Sequence, residues 1–292
     1  MKKILIGAAL IVFIFLFLIA IKPSQDDSPT SQTETELKIQ DAHGLAVDRK
    51  NPSRVYIATH TGLLALKGDK ELVRVSDARD DYMGFSAHPK DANVFYSSGH
   101  PSSGGNIGFQ KSSDGGKTWT KVSDGVGGPV DFHALTVSQA DPGIVYGTYK
   151  GQLQRSTNEG KDWDVVQTAP DGIYALATNT EDSGNLYAGT ADGLKSSNDK
   201  GATWSGLNLS GTVATVTVNP INSNEIVAYV VDAGLMRTTD SGKSWKQLNA
   251  YKGDLVMQIA YDPQNADTMY LINQSLEIYK TKDGATTWSK VR

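Results

Sequence analysis

Three aspartates and four histidines in the first half of the chain are the side chains best suited to chemistry. They are Asp41, His43, His60, Asp81, His100, Asp131 and His133. Neutral imidazoles and carboxylates together suit Zn²⁺, and a methionine sulfur from Met83 or Met257 would favour copper instead. Two carboxylates about 5–10 Å apart would suit hydrolysis of a glycosidic bond. The choice between these chemistries depends on the elements that position the residues.

The five tryptophans, the only ones in the chain, mark an internal repeat. They lie at nearly even intervals, at positions 119, 163, 204, 245 and 288. Such spacing indicates a supersecondary unit stacked on itself. One unit contains the segments 132–139, 144–150, 152–157 and 162–168, which are short, alternating and rich in β-branched and aromatic residues. Four antiparallel strands per repeat predict the blade of a β-propeller.

A sixth repeat precedes the first tryptophan. Residues 43–66 contain the same first three strands, and only Asp69 remains of the turn that follows. The first strands of the six repeats are predicted to begin at His43, Met83, His133, Tyr174, Ala214 and Met257. We therefore predict an all-β fold in which residues 36–292 form one six-bladed propeller. How the ring closes stays open, because residues 36–41 could pair with a last blade that already has its fourth strand.

The eight residues SSDGGKTW, from Ser112 to Trp119, recur in the four later repeats. The related segments lie at 156–163, 197–204, 238–245 and 281–288. The aspartate can accept hydrogen bonds from nearby backbone N–H groups, and glycine permits a positive φ, so the segment is suited to a turn. The tryptophan is predicted to pack between strands. We interpret the repeated segment, which joins the third strand to the fourth, as structural.

These segments resemble the Asp-box, or BNR, repeat of sialidases, sortilin-type receptors, two-domain xyloglucanases and photosystem II assembly factors. The resemblance covers all six repeats and implies a propeller, but those families share the turn and not an activity. The segments DAHGLAVD, YIATHTGLL, YMGFSAHP, YSSGHP and GPVDFHAL are also similar to exported bacterial Asp-box proteins that are often labelled glycosyl hydrolases. That label is an analogy of fold and does not by itself indicate catalysis.

The enzyme reading depends on a few charged residues. A sialidase would need three converging arginines, whereas Arg155 and Arg237 stand just before Asp-boxes. Other repeats carry Lys111, Lys195 and Lys280 there, which predicts a ring of exposed charge. Asp41, Asp81 and Asp131 occupy equivalent positions two residues before first strands. They are the candidate catalytic carboxylates of a glycoside hydrolase, and the alternative is that they cap turns.

The turns of a four-stranded meander divide between two faces. The first-to-second and third-to-fourth turns lie on one face, here called the lower face. The second-to-third turns and the crossings between blades lie on the other, the upper face. His43 and His133 are then predicted at the inner wall of the channel on the upper face, with His60 and His100 just after second strands.

This placement predicts a metal site for zinc or copper at the upper mouth of the channel. His43 and His133 would be the inner ligands, His60 or His100 the third, and Asp131 a ligand or the hydrogen-bond partner of one. Propellers also use buried histidine and aspartate in hydrogen-bond networks that hold inner strands together. Both interpretations stay open on the sequence alone.

The first 35 residues are predicted to target the chain rather than to fold with it. Two lysines precede the apolar run 4–21, which is long enough to cross a bilayer. We interpret residues 1–21 as an uncleaved membrane anchor, with a cleaved signal as the alternative, and residues 22–35 as a disordered tether. The lysines predict that the propeller lies outside the cytoplasm, either held at the cell membrane or, after cleavage, secreted.

The composition excludes several classes of function. The chain has no cysteine, so disulfides, thiolate metal sites and cysteine nucleophiles are excluded. Its net charge of −4, without a basic cluster, does not favour nucleic acid as a partner. We therefore predict an extracytoplasmic binding or assembly module that takes a protein or glycan ligand on the upper face. The alternative function is glycoside hydrolysis.

Overall fold

The computed structural model describes residues 37–292, which form six four-stranded sheets. Blades 1 and 2 contain β1 (Gly44–Val47), β2 (Arg54–Thr59), β3 (Gly62–Lys67) and β4 (Glu71–Arg74), then β5 (Asp81–Ala87), β6 (Phe95–His100), β7 (Phe109–Ser112) and β8 (Thr120–Ser123). Blades 3 and 4 contain β9 (Leu135–Val137), β10 (Val145–Tyr149), β11 (Gln152–Ser156) and β12 (Asp164–Val165), then β13 (Ala175–Thr178), β14 (Leu186–Thr190), β15 (Gly193–Ser197) and β16 (Ser205–Gly206). Blades 5 and 6 contain β17 (Val213–Val218), β18 (Ile226–Val230), β19 (Gly234–Thr238) and β20 (Lys246–Gln247), then β21 (Val256–Asp262), β22 (Asn265–Asn273), β23 (Ile278–Thr281) and β24 (Ser289–Lys290).

Each sheet is an antiparallel meander whose strands pair in chain order, so the prediction of a six-bladed β-propeller is confirmed. The predicted starts of the first strands are equivalent in the backbone. The amides of His43, His133 and Tyr174 all donate to a carbonyl of the neighbouring second strand. Met83, Ala214 and Met257 lie at the irregular step where the pairing register shifts in their own blades.

The predicted N-terminal anchor (1–21) and tether (22–35) lie outside the described residues. Between residues 37 and 292, no helix has the length and apolar character needed to cross a membrane.

The hydrophobic core is divided into six clusters, one between each pair of neighbouring blades. Five of these clusters contain the tryptophan of the following blade, half-buried against residues of the preceding one. Burial of this much indole surface contributes roughly 2–3 kcal/mol at each interface. The tryptophans therefore join neighbouring blades. The sequence analysis had predicted only that they pack between strands.

The interface between blade 6 and blade 1 has no tryptophan and closes differently. Leu37, Ile39 and Val291 pack against its cluster, and the Arg292 Nη2 donates to the Leu37 carbonyl at 2.9 Å. The start of the described chain thus covers this interface without adding a strand to the last blade. Asp69 accepts from the Tyr270 hydroxyl at 2.8 Å and from the Lys280 Nζ at 2.7 Å, so both blades are also joined at the lower face.

The Asp-box is a turn closed by one side chain. Asp114 Oδ1 accepts from the amides of Lys117 and Thr118, and Oδ2 accepts from the Thr118 hydroxyl at 2.6 Å. Ser112 in turn donates to Asp114 and accepts from the Gly116 amide. The same pattern recurs around Asp199, Asp240 and Asp283.

Glycine is required in the blade 3 box, where the turn approaches the preceding blade, whereas Ala285 occupies the equivalent position of blade 6. At Gly160 φ is +81°, and an added Cβ would lie 1.9 Å from the Phe109 ring. The box therefore positions its tryptophan and brings the turn into contact with the neighbouring blade at the same time. These contacts confirm that the repeated segment is structural.

Most cations before the boxes join neighbouring blades instead of forming an exposed ring, so that prediction was wrong. Arg155 and Arg237 are partly buried and donate to carbonyls in the Asp-box of the next blade, at 2.9 and 3.0 Å. Lys111 bonds Glu159 of the next box at 3.2 Å. Lys195 is not in the equivalent position, which Ser196 occupies, and it pairs with Asp192 at the other end of its strand.

The box of blade 3 reverses the polarity of one hydrogen bond. Asn158 stands in the aspartate position, and Asp162 stands where the other boxes have threonine or serine. The Asn158 Nδ2 donates to the Asp162 Oδ2 at 2.8 Å, so the donor and acceptor have exchanged sides. The two departures from the repeat therefore compensate each other.

Changing Asn158 to Asp should destabilise the propeller, because two carboxylates would then meet without a donor between them. We expect a loss of about 1 kcal/mol in the free energy of unfolding, measured by urea denaturation at pH 7. The double variant Asn158→Asp, Asp162→Thr should recover the loss, since it recreates the arrangement of the other boxes. A double variant no more stable than the single one would contradict the exchange.

Four Asp-box carboxyls should make stability depend on acid pH. Hydrogen bonds from a threonine or serine hydroxyl and from backbone amides lower the pKa of Asp114, Asp199, Asp240 and Asp283 to about 2. Since the pKa of each is lower in the folded protein than in the unfolded chain, their stabilisation is present above pH 4 and is lost as the pH falls towards 2. The urea midpoint should fall across this window. Asp199→Asn should flatten the dependence, and an unchanged slope in that variant would contradict the assignment.

Candidate functional site

The histidines and aspartates of the upper face are positioned by the residue between them. Ala42, Tyr82 and Phe132 each lie directly before the predicted start of a first strand. They are flanked by Asp41 and His43, by Asp81 and Met83, and by Asp131 and His133. All three middle side chains are buried in the clusters between blades or against a tryptophan. Because neighbouring side chains of extended backbone point to opposite sides, burial of the middle residue turns its two neighbours towards the rim.

Phe132 is the clearest of these anchors. Its ring packs 4.8 Å from that of Trp163, and an added Cβ on Gly147 would lie 2.5 Å from it. The Phe132 amide donates to the buried Ser98 hydroxyl at 2.9 Å. Ser98 donates in turn to the Val130 carbonyl, so the segment that carries Asp131 is held at both ends. The sequence analysis did not identify Ser98 or the role of Phe132.

Asp41, His43 and His60 form the first of two groups, called here the blade 1 triad. His60 Nδ1 lies 3.2 Å from Asp41 Oδ2, and His43 Nε2 lies 3.5 Å from Asp41 Oδ1. The two imidazole rings are 4.1 Å apart between centroids. Asp41 also accepts from the His60 amide at 2.7 Å, so the carboxylate fixes the backbone as well as the ring of His60.

Asp131, His133 and His100 form the second group, called here the blade 3 triad. Nε2 of His133 and Nε2 of His100 lie 3.0 and 3.2 Å from the same atom, Asp131 Oδ2. His100 Nδ1 is 2.8 Å from the Gly105 carbonyl, which can only accept, so this nitrogen carries a proton. The Gly-rich loop after β6 therefore sets the orientation of His100.

Asp81 lies between the two triads. Its Oδ2 is 3.8 Å from His60 Nε2, so one imidazole faces carboxylates of blades 1 and 2 on its two edges. Gly99 makes this position of Asp81 possible, because at φ +145° an added Cβ would lie 2.0 Å from the Asp81 carbonyl. The contact between His60 and Asp81 joins neighbouring blades and has no signal in the repeat.

Burial and hydrogen bonds shift the pKa values of three groups in this region. It lowers the pKa of His43 to about 4, with further lowering by the nearby His60. Burial also raises the pKa of Asp81, opposed by His60 and His100. The hydrogen bond to Asp131 raises the pKa of His133. Within the described chain, His43 Nε2, Asp81 Oδ1 and Asp131 Oδ1 are buried and have no hydrogen-bond partner.

His43 and His133 also line the central channel, a cavity of about 240 Å³ bounded by the first strands. Tyr174 lies in the same lining, at the equivalent position of blade 4. Its side chain is 54% exposed, which is unusual for a large apolar ring. The upper mouth of the channel therefore presents an aromatic ring together with two imidazoles, each of which contacts a carboxylate.

The structure divides the predicted ligands between two triads. His43 lies with His60 on Asp41, and His133 lies with His100 on Asp131, whereas the sequence analysis had paired His43 with His133. Capping accounts for Asp41, which binds the His60 amide, but Asp81 and Asp131 each keep a buried oxygen without a partner. His88 lies in a first-to-second turn on the lower face, where its Nδ1 accepts from the amides of Lys90 and Asp91.

Comparison with known proteins finds similarity to other Asp-box propellers. Residues 154–291 match the family model described as photosynthesis system II assembly factor YCF48. The resemblance is confirmed. The matched region covers the end of blade 3 and blades 4 to 6, so both triads lie outside it.

Other similarities are more distant. The chain is 28% identical over 144 residues to a probable oligoxyloglucan-reducing end-specific xyloglucanase of Neosartorya fischeri, which covers 41% of this chain and 18% of that protein. A GH74 enzyme of Niastella koreensis superposes with a TM-score of 0.63 at 14% identity, over 85% of this chain and 45% of the other. YCF48 bound to D1 peptide superposes with a TM-score of 0.53 at 15% identity, over 85% and 81%. The chain thus spans less than half of the xyloglucanase and GH74 proteins, and the structural likeness shows the fold.

Proposed function

We propose that the protein is an extracytoplasmic binding module that holds an extended peptide segment of a partner protein across the upper mouth of the channel. The observation that carries the proposal is the exposed ring of Tyr174, which lies in the channel lining with His43 and His133. An exposed tyrosine offers a rigid apolar contact with a polar tip, which is the usual anchor of a binding surface. The solved YCF48 structure with a bound peptide supports this reading.

The charge of the upper face favours a basic peptide. Exposed acidic side chains on its turns and crossings are Asp77, Asp124, Asp171, Asp192, Asp232 and Asp254, and the exposed basic ones are Arg79, Lys150 and Lys252. The carboxylates of Asp41 and Asp81, which are partly buried, and of Asp131, which is buried, lie behind the channel mouth and add to the negative potential. Complementary charge increases the rate of encounter and selects among partners.

The proposed location follows from the N-terminal residues. The apolar run 4–21, preceded by two lysines, would hold the chain in the cell membrane with the propeller outside the cytoplasm. A partner would then be an exported or membrane-bound protein with a segment that reaches the upper face.

Peptides selected from a random display library on the full-length chain should be rich in lysine and arginine and should depend on Tyr174. Tyr174→Ala should weaken their binding about tenfold or more, measured by fluorescence anisotropy, because it removes the exposed ring. Ile221→Ala is the matched control, since Ile221 is 59% exposed on the lower face. Binding that is insensitive to Tyr174→Ala, or that is lost with Ile221→Ala, would contradict the proposal.

Glycoside hydrolysis is the second candidate, and one observation favours it. Burial raises the pKa of Asp81, as a general acid requires, and Asp41 and Asp131 lie on either side. If the protein hydrolyses xyloglucan oligosaccharides or aryl glycosides, Asp81→Asn and Asp131→Asn should each lower kcat at least 100-fold. Asp199→Asn, in an Asp-box, should leave turnover unchanged. Absence of turnover by the unmodified protein, or full activity of Asp131→Asn, would exclude this function for the triads.

A further inference from the structure

We propose that the blade 1 triad binds one Zn²⁺ ion through Asp41, His43 Nε2 and His60 Nδ1, with Asp81 fixing the ring of His60 from outside. Within residues 37–292, these are the only three His, Asp or Glu residues with one ligand atom each lying within 4.8 Å of the others. A small contraction would bring them to the spacing of three ligands on one tetrahedral zinc ion.

The orientation of each nitrogen supports the assignment. His43 Nε2 is buried, faces Asp41 and makes no hydrogen bond within the described chain. His60 presents Nδ1 to the same carboxylate and Nε2 to Asp81. A metal-bound histidine commonly donates its other N–H to a carboxylate, which fixes the tautomer and the ring. Asp81 is placed for that role.

Charge gives a second, independent argument. Asp41, Asp81 and Asp131 keep only 20%, 13% and 7% of their side-chain surface exposed. A buried carboxylate costs stability unless a donor or a cation satisfies it. A divalent cation on the blade 1 triad would stabilise this cluster.

The blade 3 triad differs from the blade 1 triad in how its imidazoles contact the aspartate. Both of its imidazoles direct Nε2 to the same atom, Asp131 Oδ2, at hydrogen-bond distance. An N–H on each nitrogen donates to the carboxylate, and His100 is also bonded to the Gly105 carbonyl, so the triad works as a hydrogen-bond network. His133 stands at the same backbone position as His43 in its own blade, which makes it a matched control.

The ligand set suits zinc and lacks the sulfur that would favour Cu(I). The triad offers two imidazole nitrogens and one carboxylate oxygen and no sulfur, which are common zinc ligands. Three protein ligands leave one coordination position open. His60 is 49% exposed, so solvent or a donor atom of a bound molecule can reach that position from the upper face.

Calorimetric titration of the full-length chain with zinc chloride tests the site, using cobalt as a visible-absorption probe of tetrahedral geometry. We expect one ion per chain with a Kd below about 10 μM. His43→Ala should weaken binding at least about 100-fold and remove the cobalt bands. Asp81→Asn should weaken it about 10–100-fold, as loss of a partner outside the ligand shell does. His133→Ala should change the Kd less than about threefold.

Circular dichroism of each variant separates loss of a ligand from loss of the fold. If His43→Ala does not fold, His60→Ala replaces it, because this side chain lies half exposed at the rim. No binding tighter than about 10 μM would overturn the proposal. So would a His133→Ala variant that loses zinc as completely as His43→Ala, since the ion would then lie across the mouth between blades.

Discussion

The contact of each tryptophan with the preceding blade is the interaction on which the rest of the structure depends. A four-stranded blade has two apolar faces and cannot bury both alone, so its stability comes from its neighbours. The Asp-box supplies the rigid turn from which the tryptophan reaches that neighbour, while the glycine lets the turn itself approach. Five interfaces use this device, and the sixth replaces it with Leu37, Ile39 and Val291.

Blade 1 departs from the repeat on both faces. On the lower face Asp69 no longer closes its own turn and instead binds Tyr270 and Lys280 across the last interface. On the upper face the same blade carries Asp41, His43 and His60. Blade 1 thus differs from the other blades both at the interface that closes the ring and at the upper mouth of the channel.

The repeat made the fold predictable, and the lack of repetition made the site hard to predict. Evenly spaced tryptophans and alternating strands fixed the blade number, because each signal occurs several times. The upper-face histidines could be assigned to a face from the meander alone. Their partners could not, because the approach of His60 to Asp81 depends on Gly99 and on the angle between two blades. The proton on His100 likewise depends on where one loop carbonyl lies.

Aspartate has opposite chemistry on the two faces. In the Asp-boxes it is exposed and fully hydrogen-bonded, and its pKa is lowered to about 2, so it stays an inert anion. At the channel mouth Asp81 and Asp131 are buried and each keeps one oxygen without a donor, and burial raises the pKa of Asp81. A carboxylate of the first kind stabilises the fold, whereas one of the second kind costs stability unless a proton, a cation or a ligand satisfies it. Since the box aspartates account for the stability of the turns, the cost carried at the upper mouth is not a requirement of the turns, in keeping with the proposed binding role of that face.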